Sequence, residues 1–294
     1  MSRPALAATR AIAVLNFLAA NPADEFTLSD LASELDINVA SAHAVLGVLT
    51  EAGYLVRHPR LRTYALGPSV VALGSGALER HPAIDHARDE ARVLSDELGL
   101  GVAVTALAGD DIVSLARVGE HRARDIAVRP GQRIPLVPPI GAVFVAWMDP
   151  EPWLARADDR VAMEAVLDAV RTRGWAIALE SDTRRGFASA LEHLPPGPTG
   201  ASRQGSVEQL MAELEHTEYQ VVGALEAGRT YDVVMIAAPV FGSNGEAVVA
   251  LTLLGLEPEL SAERIATYGE RVRDAGLVVT RRSGGRAPVR SASS

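Results

Sequence analysis

Apolar residues recur at helical spacing over residues 5–20, where Ala8, Ile12, Leu15, Leu18 and Ala19 define one stripe. Asn21-Pro22 ends that helix, because a residue before proline disfavours the α region. Thr27 is placed to cap a second helix, with Asp30 three positions on as partner in a capping box. Leu28, Leu31, Ala32 and Leu35 form its apolar face. Asp36-Ile37-Asn38 makes a short turn, and Asn38 caps a third helix over 39–52. The inward face of this helix is expected to hold Val39, Ala42, Leu46 and Leu49, and Gly53 sits where a C′ residue takes a positive φ. Two β-like stretches follow, 54–57 and 63–66, joined by His58-Pro59-Arg60-Leu61-Arg62. Three helices and a hairpin, with a short turn between the second and third helices, is a winged helix-turn-helix plan of the kind that sets one helix in the major groove of DNA.

The pattern then changes. Pro68 starts a connecting helix over 67–80, Pro82 marks a boundary, and Ile84, Ala87, Ala91, Leu94 and Leu98 predict a helix over 84–98. β-like runs at 101–107 and 112–118 flank Gly109-Asp110-Asp111, and another lies near 125–129. A small-residue helix is expected near 140–148 and a long one over about 150–173. Strands are expected at 175–180, 219–225, 232–240 and 246–254, the last two joined by Gly242-Ser243-Asn244-Gly245, a hairpin signal. A closing helix runs from Ser261 to Arg281. Residues 181–206, rich in Pro, Gly, Ser and Arg, read as a loop excursion, and Ser283 to Ser294 as a disordered tail. Arg173-Gly174-Trp175 before Leu179-Glu180 is echoed by Glu218-Tyr219 before Leu225-Glu226. Antiparallel hairpins with flanking helices make the second half α+β.

Composition narrows the chemistry. A chain of 294 residues suits two domains. No apolar run approaches the ~18 residues of a membrane span. Met1-Ser2-Arg3-Pro4 is not followed by a signal-peptide pattern, so a cytoplasmic location is expected. The absence of cysteine excludes disulfides, zinc–thiolate sites and cysteine nucleophiles. The seven histidines show no HExxH spacing, and no GxSxG, P-loop or GxGxxG occurs, so no enzyme, metal or cofactor is expected. A net charge of −9 argues against general coating of nucleic acid but leaves room for a local basic surface. All 28 basic residues are arginine. Residues 54–66 hold Arg57, Arg60 and Arg62 and no acid, the compact basic patch of the first domain. These arginines and Arg10 are the candidate phosphate contacts. Asn38, Ser41 and His43, near the start of the third helix, are the candidate base readers, and Ala40 or Ala44 suits a thymine methyl. Thr27 and Tyr64 complete the candidate DNA-contact set.

The chain resembles the IclR family of bacterial transcriptional regulators. The resemblance spans roughly residues 5–180 and 206–281 and rests on several stretches in order: Arg10 in the first helix, TLSDLASELDINVASAHAVLGVLTEAGYL, TYALGP, VRPGQRIPL, Ile140-Gly141-Ala142 and IAAPVFGSNGEAVVALTLLG. It implies a winged-helix DNA-binding domain (1–66), a linker helix that dimerises (67–82), a GAF-like effector-binding domain (83–283) and a tail (284–294). It further implies a homodimer or tetramer on a palindromic double-stranded operator, controlled by a small-molecule effector, more often a repressor than an activator. The effector would sit at the start of the helix at Ile140, Gly141 and Ala142, where free N–H groups attract an anion. By resemblance Leu225, Glu226, Met235, Thr252 and Leu254 line the same pocket. The chain departs from the family pattern at Ala40 and Ala44, where basic residues are common, at Val137-Pro138-Pro139, and at Met235, which replaces a cysteine. The apolar lining implies an effector less polar than a short keto acid. The uncharged recognition helix keeps a second reading open, an interaction or oligomerisation protein that has lost specific DNA binding.

Overall fold

The structure, a computed structural model, describes residues 5–120, 129–179 and 225–288. Its first unit comprises α1 (Leu6–Ala20), α2 (Leu28–Glu34), α3 (Val39–Glu51), β1 (Leu55–Arg57) and β2 (Tyr64–Leu66). The local signals are realised as hydrogen bonds. The Thr27 hydroxyl accepts the Asp30 N–H at 3.3 Å, and the Asp30 carboxylate accepts the Thr27 N–H at 2.8 Å. Asn38 Oδ1 accepts the Ser41 N–H at 2.9 Å, and Gly53 takes φ +74°. β1 and β2 pair antiparallel, with Leu55 opposite Leu66 and Arg57 opposite Tyr64.

The core of this unit gathers Val14, Phe17, Leu18, Leu31, Val45, Leu46, Leu49, Leu55 and Tyr64. Two expected faces are corrected. On α1 the buried residues are Val14, Phe17 and Leu18, while Ala8 and Ile12 are exposed. α1 is apolar nearly all round, so spacing alone selects no face; Phe17, edge-on to Phe26 at 4.7 Å between ring centres, is what turns inward. On α3, Val39 lies outside, because the inward face begins one turn later at Ala42.

α4 (Pro68–Arg80) and α5 (Pro82–Leu98) meet at His81, and no residue of α4 is buried. The second unit is built on a six-stranded antiparallel sheet of order β5-β4-β3-β9-β8-β6. Its strands are β3 (Gly101–Ala108), β4 (Asp111–Val118), β5 (Arg133–Pro135), β6 (Ala176–Leu179), β8 (Val233–Phe241) and β9 (Ala247–Leu254). A two-stranded ladder joins β7 (Thr230–Tyr231) to β10 (Leu260–Ser261). α5 and α9 (Ala262–Arg282) cover one face, packing on Val102, Val104, Ile236, Leu251 and Leu253. α9 lies close to the sheet because Gly276 sits against the Pro239 carbonyl and Gly269 against the Trp175 ring, with no room for a Cβ at either. The opposite face carries Ile112, Ala178, Ala237 and Ala250 and meets Val143 and Phe144 of α6 (Ala142–Val145), backed by α8 (Arg160–Arg173). The α+β reading holds.

Three expectations about this unit change. The long helix over 150–173 is two, α7 (Glu151–Leu154) and α8, because the Asp159 carboxylate accepts the Ala162 N–H at 2.9 Å and starts a new helix. The helix near 140–148 shrinks to four residues, since Gly141 takes φ +86° and Ile140 lies before it. Residues 284–288 are not a free tail: Gly285 donates its N–H to Thr280 O at 2.8 Å and Arg286 to Gly242 O at 2.9 Å. β5 and the β7–β10 ladder were not anticipated. The strand near 125–129, the strand at 219–225, the excursion at 181–206 and the second half of the echo fall mainly outside the described residues. Of those first two, Arg129 belongs to a turn and Leu225 to no strand. The two units touch at that turn, where the Arg129 guanidinium donates to Asn21 Oδ1 at 3.1 Å and Gly131 approaches Ala19.

Candidate nucleic-acid interface and effector site

α3 presents Val39, Ala40, His43, Ala44, Gly47 and Val48 to solvent and buries Ala42, Val45, Leu46 and Leu49. No charged side chain occurs on it before Glu51. Asn38 spends its oxygen on the cap, leaving the amide N–H groups to face a partner. The Arg10 guanidinium donates to Ser41 Oγ at 3.1 Å, so α1 delivers a positive charge to the start of α3. The wing adds three exposed arginines, Arg57, Arg60 and Arg62. Its turn is closed by His58, whose Nδ1 accepts the N–H groups of Leu61 at 3.1 Å and Arg60 at 3.3 Å, and by Arg62 N–H to His58 O at 2.9 Å. Arg57 also lies over the Tyr64 ring, 5.6 Å from its centre.

Two expected contacts have structural roles. Tyr64 is 6% exposed and belongs to the core, with its N–H donated to Phe26 O at 2.8 Å. Thr27 is committed to the capping box, and its N–H and hydroxyl hold the Asp30 carboxyl below the usual carboxylate range. Val39 and Val48, 58% and 66% exposed, join the outward surface; spacing had assigned Val39 to the core.

The expected effector residues divide between the two sides of the second unit. Gly141, Ala142 and Met235 share a small cavity of about 40 Å³ with Pro139, Val143, Val166, Val170, Arg173 and the strand residues 176–178 and 237. A volume of that size admits about one or two waters, far below the ~300–1,000 Å³ of a small-molecule pocket. Arg173 is the charged residue of this lining; it lies over Trp175 at 4.9 Å, and burial lowers its pKa. Ile140 is buried beside Gly141, and its carbonyl accepts the Trp153 indole N–H at 3.0 Å. Thr252 and Leu254 are buried on the same sheet face, Thr252 between Ala103 and Ala237, but do not reach this cavity. Leu225 is elsewhere, at a wider cleft of about 590 Å³ between Trp175 and α9. Glu226 is exposed and faces Arg229 at 3.6 Å. The sheet's strand order separates these residues, which spacing along the chain could not reveal. A four-residue α6 also offers too short a dipole for the anion site expected at its start.

The same sheet face carries polar groups that the apolar reading missed. Thr105 and Ser114 are buried partners across β3 and β4, in line with Ala250. Asp111 and Arg133 pair at 2.9 Å at the sheet edge, and Arg133 also donates to Ala108 O.

Comparisons with known proteins agree along the chain. Residues 7–59 match the model of the IclR helix-turn-helix domain, and residues 187–281 match that of the bacterial transcriptional regulator IclR C-terminal domain. The glycerol operon regulatory protein of Streptomyces griseus is 30% identical over 206 residues, which cover 64% of this chain and 78% of that protein. The HTH-type transcriptional regulator XynR of Escherichia coli (strain K12) is 25% identical over 276 residues, 94% of this chain and 96% of its own. The crystal structure of an IclR transcriptional regulator from Alicyclobacillus acidocaldarius superimposes with a TM-score of 0.64 at 19% identity, covering 96% of this chain and all of that one.

Proposed function

This chain belongs to the IclR family, whose members are DNA-binding transcriptional regulators with an effector-binding C-terminal domain rather than enzymes, and we propose that it is a repressor released or retained on its operator by an apolar small molecule. The observation that carries the DNA half is the exposed face of α3, with Arg10 at its start and the acid-free wing with Arg57, Arg60 and Arg62 following it in the chain. Such arginines hold phosphates while the helix meets base edges. Contacts to the backbone make binding fall with salt.

α4 supports a homodimer. It exposes Val71 at 71% and Leu73 at 59% and buries none of its own residues, so a second copy is the natural cover. A dimer places two wings on a palindromic site, and a tetramer pairs two such dimers. The effector reading rests on the cavity between α6, α8 and β8. All its lining residues except Arg173 are apolar or glycine, which favours an effector with an apolar body over a short keto acid. At about 40 Å³ the cavity must open to take one. Among the described residues no helix is long and apolar enough to cross a membrane.

A gel shift with duplexes from upstream of its own and neighbouring genes tests the reading. Retarded complexes with a steep salt dependence, made shallower by Arg60→Ala and Arg62→Ala, are expected. The alternative, an interaction protein that has lost specific DNA binding, draws only on the uncharged face of α3. Salt-independent or absent retardation of every duplex would establish it and sink the first reading.

A further inference from the structure

We propose that the operator is read mainly through thymine methyl groups packed against the uncharged face of α3, with Gly47 letting that helix seat deeply in the groove. This deepens the DNA-binding reading above and rests on it. The face has a definite composition. Ala40, Ala44 and Val48 recur at a four-residue interval and so share one side of the helix, with Val39 and Gly47 beside them and all five exposed. His43 is the one polar side chain on that face; Ser41, half-buried beside it, accepts from Arg10.

An exposed apolar helix face calls for a partner, and the charge around it states which kind. Arg10 stands at one end, and Arg57, Arg60 and Arg62 follow in the wing without an acid among residues 54–66. The partner is therefore polyanionic at its rim and apolar where α3 meets it. In the major groove the C5-methyl of thymine is the apolar group that a base edge displays. A side chain ending in methyl groups distinguishes thymine from cytosine by contact, without a hydrogen bond.

Gly47 supplies an independent observation. It lies in mid-helix, where glycine weakens the helix relative to alanine. A Cβ built there meets nothing within 4 Å, so the folded protein does not require its absence. The missing side chain is thus a cost to the free protein that close approach of a ligand explains.

The test uses the full-length protein and a pool of random-sequence duplexes. The tightest duplex is remade with each thymine replaced in turn by deoxyuridine, which removes only the methyl. At two or more positions per half-site, affinity should fall about fourfold each, the worth of one buried methyl group. The slope of log affinity against log salt should stay unchanged, because no phosphate contact is lost. Val48→Ala should weaken binding and make one of those positions indifferent to deoxyuridine. Gly47→Ala should raise the thermal midpoint of the free protein yet weaken its complex.

An enriched duplex that tolerates deoxyuridine at every position overturns methyl readout and leaves the regulator reading intact. A pool that yields no enriched duplex overturns both. A change in the sedimentation of the DNA-free protein on Val48→Ala would assign the face to a second copy of the chain, which also overturns the proposal.

Discussion

The two halves of this molecule depart from the rule of apolar inside and polar outside in different places. The DNA-facing half leaves Val39, Val48, Val71 and Leu73 in solvent. The effector half buries Thr105, Ser114, Thr252, Asp111 and Glu90. A scattered exposed apolar residue means little, but apolar residues aligned on one helix face and polar ones gathered inside a sheet are the informative departures. In the first half the exception marks a surface awaiting a partner outside the fold. In the second the charged groups find partners within the fold, Asp111 with Arg133 and Glu90 with Arg271, while the Ser114 hydroxyl is buried with no hydrogen-bond partner among the described residues.

The contrast can be tested from its strongest consequence downwards. Asp111→Ala leaves Arg133, only 17% exposed, without its carboxylate partner at the sheet edge. It should cost about 3 kcal/mol in chemical denaturation, as expected for removing one member of a mostly buried pair. A loss under about 1 kcal/mol would place the pair with ordinary surface ion pairs and weaken the contrast. Thr27→Ala removes half of the capping box and should cost about 1 kcal/mol. Its DNA complex should keep the wild-type salt slope, which separates the cap from a phosphate contact.

Glu97→Gln probes the outer surface of the effector half. Arg271 donates to the Glu97 carboxylate at 2.6 Å and holds it below the usual carboxylate range. Both side chains are partly exposed, so the effect at neutral pH should be only about 0.5 kcal/mol. A depressed folded-state value means that this stability is present above the unfolded carboxylate range. It is lost as pH falls through the folded value, so the wild type and Glu97→Gln should converge in acid. The smallest effect belongs to Val48→Ala, which should change the stability of the free protein by no more than about 0.5 kcal/mol. A larger loss would show that Val48 packs within the fold and does not face outwards.

Legibility followed the range of the interactions. The winged helix was readable because its determinants are local: Thr27 with Asp30, Asn38 with Ser41, Gly53 at a positive φ. The wing arginines were readable because a short hairpin keeps charge density along the chain close to charge density in space. The residues expected to line an effector pocket come together only in part. Gly141, Ala142 and Met235 meet at one cavity, whereas Leu225, Glu226, Thr252 and Leu254 do not line it. A sheet of order β5-β4-β3-β9-β8-β6 sets β3 beside β9, about 140 residues later in the chain, and no local pattern encodes that distance.

By itself the sequence determined where the helices of the first unit begin and end, where the wing turns, and that α3 carries no charge before Glu51. These follow from hydrogen bonds and torsional preferences among neighbours a few positions apart. Only the tertiary structure decided which face of α1 turns inward, that Val39 stays outside and Tyr64 goes inside, and that Arg10 reaches Ser41. Burial depends on which distant surfaces close over a residue. A helix apolar nearly all round, such as α1, leaves that choice to its neighbours.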